Sequence, residues 1–373
     1  MSAIIDFFEN RSDLQVTDLK LALFLESYKV NSFKEYHTIL TNMKKGQQVL
    51  LMGDYDELVG QTRTVGACAM PKSIGGISTS KKTWNPTAWG EQFEFCSDDW
   101  QPYISQFALA MGINQFDMAN TDIMDMVVDR IAKRIQQAHW IKAWFGDTAS
   151  AAFDASPDGV LIEAKYVPFF STFDGYFKQM VDYTATDDTA EKQLVAIAGN
   201  NKVTYDTYAK QLAWATTTSA THTDFNNAYD VAHNIAFSTP AFIRKNSGKT
   251  ALCTRMYYDA LMQNFIGKGL ESMYVNLTEG VEGLKVLGIT YIPIDDWDTV
   301  IENYEHDGTK YNNPFRVVVT PKENLQYATT GSAEIGIKDA STFYVQKDHK
   351  TYLEFLDETD AKVVMNNQFI IAI

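Results

Sequence analysis

The sequence has no surplus of positive charge, no cysteine framework and no long apolar run, and each lack removes a class of function. Its 373 residues carry 32 Lys and Arg against 47 Asp and Glu, a net charge of −15. Lys44 and Lys45 stand as a pair, and no basic stripe extends them. A surface that grips phosphate backbones is therefore not expected. An acidic wall that encloses nucleic acid without gripping it fits the balance. The 3 cysteines, Cys68, Cys96 and Cys253, lie far apart and show no CxxC spacing. They read as reduced thiols of a cytoplasmic protein. No stretch approaches the roughly 20 apolar residues of a membrane-spanning helix. The first residues, MSAIIDFFENRSD, lack the basic start and apolar stretch of a signal peptide, and none is expected.

Catalytic signatures are missing too. None of the 6 histidines has a second one three or four residues on, which excludes an HExxH zinc site. There is no GxSxG elbow, and no GxxxxGK followed by Ser or Thr. GVEGLKVLG, around Gly280 to Gly288, precedes a β-like run, where a dinucleotide loop must follow one. His222 and Asp224 could form a dyad, but Thr223 and Asp224 also make a natural cap for a helix at Phe225. Asp295, Asp296 and Asp298, with Glu302, are the densest carboxylate group; they lack the EF-hand spacing and its glycine and read as a solvated turn after a strand. Cys253 sits inside an apolar run and reads as core.

What is present is a chain of ordinary globular composition, 45% hydrophobic, long enough for two lobes with a sizeable core. Residues 16 to 30 place Leu19, Ala22, Leu23 and Glu26 at helical spacing and read as a short amphipathic arm. Between Gly46 and Glu94, Gly53, Gly60, Gly66, Gly75 and Gly76 interrupt short β-like runs without a helical period. Asn120 or Thr121 opens the clearest helix, in which Ile123, Val127, Ile131, Ile135 and Ala138 recur at three and four; Gly146 closes it. Asp122 and Asp125 at its start and Lys142 near its end complement the helix dipole. Ile131 is expected to face the core and Lys133 the solvent.

A second amphipathic helix covers Phe225 to Ala236, and Thr254 to Gly267 reads as another. Thr250 to Cys253, Leu284 to Ile294 and Phe315 to Thr320 read as strands, so a sheet flanked by helices is predicted. From Thr342 onward the pattern is that of paired strands. Several aromatic rings fall in loop-like segments, where the surface that covers them can belong to another subunit. Trp84 and Trp89, flanking Pro86, are the expected inter-subunit contacts, since interface energy concentrates in a few aromatic anchors.

In this order the chain resembles the major capsid proteins of tailed bacteriophages with the Hong Kong 97 fold. In pattern it is similar to those of phages of Bacteroides-like bacteria. The resemblance rests on WNPTAWGEQFEFCSDD (Trp84 to Asp99), DIMDMVVDRIAKRI (Asp122 to Ile135) entering WFGDTA (Trp144 to Ala149), LKVLGITYIPIDDW (Leu284 to Trp297), RVVVTPKENLQY (Arg316 to Tyr327) and KDHKTYLEFLDETDAKVVMNNQF (Lys347 to Phe369). It implies an α+β fold with an N-terminal arm (1–45), an extended loop (46–94), a peripheral domain (95–165 and 342–373) carrying a spine helix (121–145), and an axial domain (166–341).

By the same resemblance the subunit assembles with itself, through pentamers and hexamers, into an icosahedral shell around packaged double-stranded DNA. Its further partners would be a portal and separate scaffolding or decoration proteins. No membrane, cofactor, metal or catalytic residue is implied, and the location is the virion, with assembly in the host cytoplasm. Some members of the family join subunits by a Lys to Asn isopeptide bond; Lys72, Lys81 and Lys82 in the loop, and Asn366 and Asn367 near the C-terminus, are the residues of the right type. The last strand is expected to close the peripheral domain. Two rival readings are a hydrolase with a scattered site among Asp295, Asp296 and His306, and a non-viral nanocompartment of the same fold around a cargo enzyme.

Overall fold

The computed structural model of the chain describes residues 35–55, 77–96, 122–152, 161–162, 164–186, 193–197, 200, 228–245, 249–267, 284–306, 311–331, 339–345 and 350–373. The arm at residues 16 to 30, and His222 and Asp224, lie outside them, as do the side chains of Ile131 and Lys133.

Two mixed sheets organise these residues, beside the short parallel pair of β5 (Ala151–Ala152) and β6 (Leu161–Ile162). The first gathers β1 (Thr38–Leu40), β4 (Thr87–Cys96), β12 (Leu325–Thr329), β13 (Asp339–Val345) and β14 (Lys350–Val363). β14 is the axis of this sheet. One of its edges pairs antiparallel with β4 from Lys350↔Cys96 to Thr359↔Thr87; the other pairs first with β13 and then with β12. β1 lies parallel to the far side of β12. Gly90 is required by this pairing, because a Cβ there would collide with the carbonyl oxygen of Phe355.

The second sheet runs β7 (Leu194–Val195), β15 (Ile370–Ala372), β11 (Val317–Val319), β8 (Lys249–Cys253), β10 (Ile289–Pro293), β9 (Leu284–Val286). Its central strands are apolar on both faces: Val317, Val318, Val319, Ile370 and Ile371 are all buried. Each such side chain stabilises by roughly 1.5–3 kcal/mol when buried, which is why these runs read as strands. The long run from Leu284 splits into the β9–β10 hairpin at Leu287 and Gly288, both at positive φ. Two consecutive left-handed residues match the twist of a two-residue hairpin, and glycine takes the second place without strain.

Helix α1 (Asp122–Phe145), 24 residues and about 36 Å long, joins the lobes. Its C-terminal half carries Trp140 and Trp144 into an aromatic cluster. Trp144 meets Trp297 at 4.6 Å, Tyr176 at 5.0 Å and Phe177 at 5.1 Å between ring centroids. Trp297 belongs to α7 (Asp295–Asn303), and Tyr176 and Phe177 to α3 (Tyr176–Thr186). His37, just ahead of β1, stacks on Tyr176 and meets the edges of Trp140 and Trp144. Beyond Gly146, the short α2 (Val167–Phe170) leads to α3. The stop at Gly146 is a close approach of backbones: Gly175 donates its N–H to the Gly146 carbonyl at 2.7 Å, and a Cβ on either glycine would strike main-chain atoms. α4 (Ala228–Ser238), α5 (Ala241–Lys245) and α6 (Arg255–Gly267) follow, with α4 and α6 packed on each other.

Three expectations change. The C-terminal strand does not close the sheet of β14: β15 pairs antiparallel with β11 and parallel with β7, inside the second sheet. Residues 364–369 carry the chain across, and Asn324 fixes that crossing by accepting the Met365 N–H and donating to its carbonyl. Conversely, β12, placed by sequence at 166–341, belongs to the first sheet, as does β4, placed mostly in the 46–94 loop. The carboxylates of Asp295, Asp296 and Asp298 form the first turn of α7, where negative charge complements the helix dipole, and not a solvated turn.

Candidate functional site

Within residues 46–94, β2 (Gln48–Tyr55) and β3 (Ile77–Thr83) pair antiparallel from Gln48↔Thr83 to Tyr55↔Ile77. Among the described residues this two-stranded ribbon pairs with no third strand. Its base is locked. Gly46, at φ 84°, donates to the Trp84 carbonyl at 2.9 Å, and the Trp84 N–H donates to Gln47 at 2.8 Å. Trp84 itself is 1% exposed and packs with Met43 and Ala328 of β12. The Asn85 N–H donates to the buried Asp360 carboxylate at 2.8 Å, and Pro86 is buried.

Trp84 and Pro86 therefore do not present themselves to a neighbouring subunit as the sequence reading has it. They are buried inside their own chain, because the ribbon needs a fixed root on the sheet before its strands can project. Trp89 is half-buried, with its indole N–H donating to Thr359 Oγ1 at 2.8 Å.

Lys82 completes the lock. Its ammonium donates to the Val363 carbonyl and, at 2.6 Å, to Asn366 Oδ1. Burial, and next the charge of Lys362, push this amine down to about 8. Of the Lys and Asn residues singled out by type, Lys82 and Asn366 are thus brought together within one chain, as a hydrogen bond. Lys81 is exposed.

A polar seam runs between α1 and the first sheet. His139 Nδ1 lies 2.8 Å from Tyr327 Oη, and its Nε2 lies 3.6 Å from Asp357 Oδ2. The same carboxylate accepts from Thr329 Oγ1 at 3.0 Å and from the Glu358 N–H at 2.7 Å. Trp89 and His139 meet edge to face, with ring centroids 4.8 Å apart. Burial, and next the charge of Lys142, push the imidazole down to about 3, so it is neutral. A histidine, tyrosine and carboxylate in line invite an enzymatic reading. All three are buried, and their bonds hold β12, β14 and α1 together. No sequence signal marks this seam, since its members come from four distant segments.

The acidic group near Asp298 is also structural. Asp298 accepts the N–H groups of Arg255 and Met256 at 2.5 and 3.1 Å and so caps α6 from a different helix. Burial raises its carboxyl to about 7, against those two bonds. Asp295 pairs with Arg255 at 3.1 Å, and His306 bridges backbone to backbone with Tyr311. Glu305, close by, is bound to Arg316, whose guanidinium lies over Phe145 and Phe177 at 5.0 and 4.9 Å.

Cys253 is buried, with its thiol pushed well up by burial. Among the described residues no three His, Cys, Asp or Glu side chains are placed to hold a metal, and no helix is long and apolar enough to cross a membrane. A cleft of about 520 Å³ opens beside Tyr36, Lys249, Lys322 and Glu323, over Leu252 and Ile292.

No family model matches the chain, and no curated protein does. Among solved structures it is similar to the satellite phage P4 procapsid including the size determination protein, at 11% identity and a TM-score of 0.49, over 94% of this chain and 95% of that one. It is similar to the capsid of a native GTA particle at 11% identity and 0.48, over 91% and 95%. It is also similar to the mature capsid of bacteriophage PhiM1 at 11% identity and 0.45, over 91% and 86%.

Proposed function

We propose that the chain is a shell-forming subunit, the major capsid protein of a tailed bacteriophage with the Hong Kong 97 architecture. The observation that carries this reading is the β2–β3 ribbon. It is rooted firmly at Trp84, Asn85 and Lys82, yet pairs with no third strand among the described residues. A lone two-stranded ribbon is marginal in water and gains from a surface that covers it. A second copy supplies one. The ribbon base exposes Lys44, Lys45 and Lys81, and β4 exposes Glu91 and Glu94 on the same subunit, so successive copies meet with opposite charge.

In this reading the ribbon is the extended loop, α1 the spine helix, the first sheet the core of the peripheral domain and the second sheet that of the axial domain. Trp89, half-buried and beside the root, remains the candidate contact to a neighbour. Pentamers and hexamers close into an icosahedral virion shell, with a portal and separate scaffolding or decoration proteins as further partners. The net charge of −15 suits a wall that encloses double-stranded DNA without gripping it. The subunit itself performs no catalysis and holds no cofactor.

The register gives the test. Because Tyr55 pairs with Ile77, a two-residue turn can replace residues 56–76 without disturbing the root. Circular dichroism should show the shortened chain folded like the wild type, while sedimentation velocity and electron microscopy show closed shells only for the wild type. Closed shells from the shortened chain would overturn the reading. A deletion that reaches Lys82 is a poorer test, since it also removes the latch to Asn366.

A further inference from the structure

Lys142, in the last turn of α1, is 2% exposed, and among the described residues its amine pairs with no carboxylate. Its amine donates to the Phe169 carbonyl at 2.9 Å, in the last turn of α2, and to Thr172 Oγ1 at 2.6 Å, in the connection to α3. It lies 4.3 Å from the Phe169 ring centroid and 4.8 Å from that of Trp89 on β4. Three elements thus meet on one buried amine, and both of these acceptors are neutral. Burying an ammonium without a counter-charge is costly, and two rings and two oxygens offset only part of that cost.

Among the described residues the titratable neighbours are few. His139 is on the same helix and neutral; Asp357 on β14 is tied to Thr329; Glu91 stands on β4 two residues beyond Trp89; Asp174, after Thr172, is engaged by Thr148. We propose that Lys142 is a proton-controlled latch at the joint between α1 and the α2–α3 connection: the neutral amine lets the joint stay closed, and the charged amine favours its opening to water.

The direction follows from linkage. Burial pushes the amine down to about 7 in the closed joint, whereas an opened joint returns it towards 10.5. Between these values the open form binds more protons, so the closed joint gains stability as pH rises from about 7 to about 10 and is indifferent to pH below about 7. Asp298 runs the other way: its raised folded value makes stability fall as pH rises from about 4 to about 7, and its effect shows at Arg255 and Met256.

Hydrogen exchange on the unassembled full chain, corrected for the intrinsic rate, tests the latch. Protection of the amides at residues 167–172 should rise several-fold from pH 7 to pH 10 in the wild type. Lys142→Met should hold them at high protection throughout. Should that variant fail to fold, Lys142→Gln carries the same expectation of a flat profile. A flat profile in the wild type overturns the proposal, and so does a slope that survives in either variant.

Discussion

The two sheets of this molecule are held together by different means. In the second, the middle strands β15, β11 and β8 bury valine, isoleucine and alanine on both faces, and their polar partners stand at the ends. There Asn200 accepts from the Phe315 N–H and donates to its carbonyl, and Asn324 gathers the chain between β14 and β15. In the first, the contact with α1 is made by His139, Tyr327, Asp357, Thr329 and Trp89, and apolar packing lies around that seam. An apolar sheet tolerates small shifts of its neighbours, because dispersion and burial have no direction. A hydrogen-bonded seam tolerates little, because each buried partner left unsatisfied costs about 1–3 kcal/mol. The first sheet, which carries the ribbon, is therefore the one whose geometry is specified more closely.

Removing Phe369–Ile373 should break the contrast from the apolar side. Phe369, Ile370 and Ile371 are fully buried, and at roughly 1.5–3 kcal/mol each their loss approaches the whole stability of a typical domain. The strand lost lies between β7 and β11, so both neighbours also lose their ladders. Insoluble protein is expected on expression; a soluble, cooperatively melting truncation would show that β15 is dispensable. Next in size is Trp84→Ala, which should lower stability by about 3–5 kcal/mol in urea titration. It should also free the ribbon root, so limited proteolysis should cut between β3 and β4 faster than elsewhere.

Tyr327→Phe probes the seam alone. It keeps the ring and removes the hydroxyl beside His139, and should cost about 1–3 kcal/mol by leaving a buried ring nitrogen without that partner. A change below about 0.5 kcal/mol would mean that the seam adds no more than apolar packing would. The smallest effect concerns the hairpin of the apolar sheet. Leu287 sits at φ 48° in a two-residue turn and is 45% exposed. Leu287→Asn should relieve left-handed strain and raise stability by about 1 kcal/mol or less, read as a slightly higher melting temperature.

This contrast also decides what the sequence discloses. Val317–Val319, Lys249–Cys253 and α1 are visible because burial on a repeating period leaves a repeating apolar pattern. The pairing of β15 is not visible, since an apolar run tells that a strand is buried and not which edge it joins. Nor is the root of the ribbon: Trp84 looks like a free aromatic in a glycine-rich stretch, and only the approach of Met43 and Ala328 makes it core. The seam joins residues 89, 139, 327 and 357, each unremarked in its own neighbourhood. Lys142 is legible as a residue that suits a helix end, and its burial beneath Trp89 is not.

The pairing of β14 bears on how the chain is made. β4 waits for a partner about 260 residues away, and the second sheet lacks a middle strand until residue 372 is available. At roughly 5–20 residues per second, a ribosome needs on the order of 20–70 s to reach that point. Through all that time both sheets have a gap where β14 and β15 will lie. The ribbon gains its root only when Asp360, Val363 and Asn366 have emerged to receive Asn85 and Lys82.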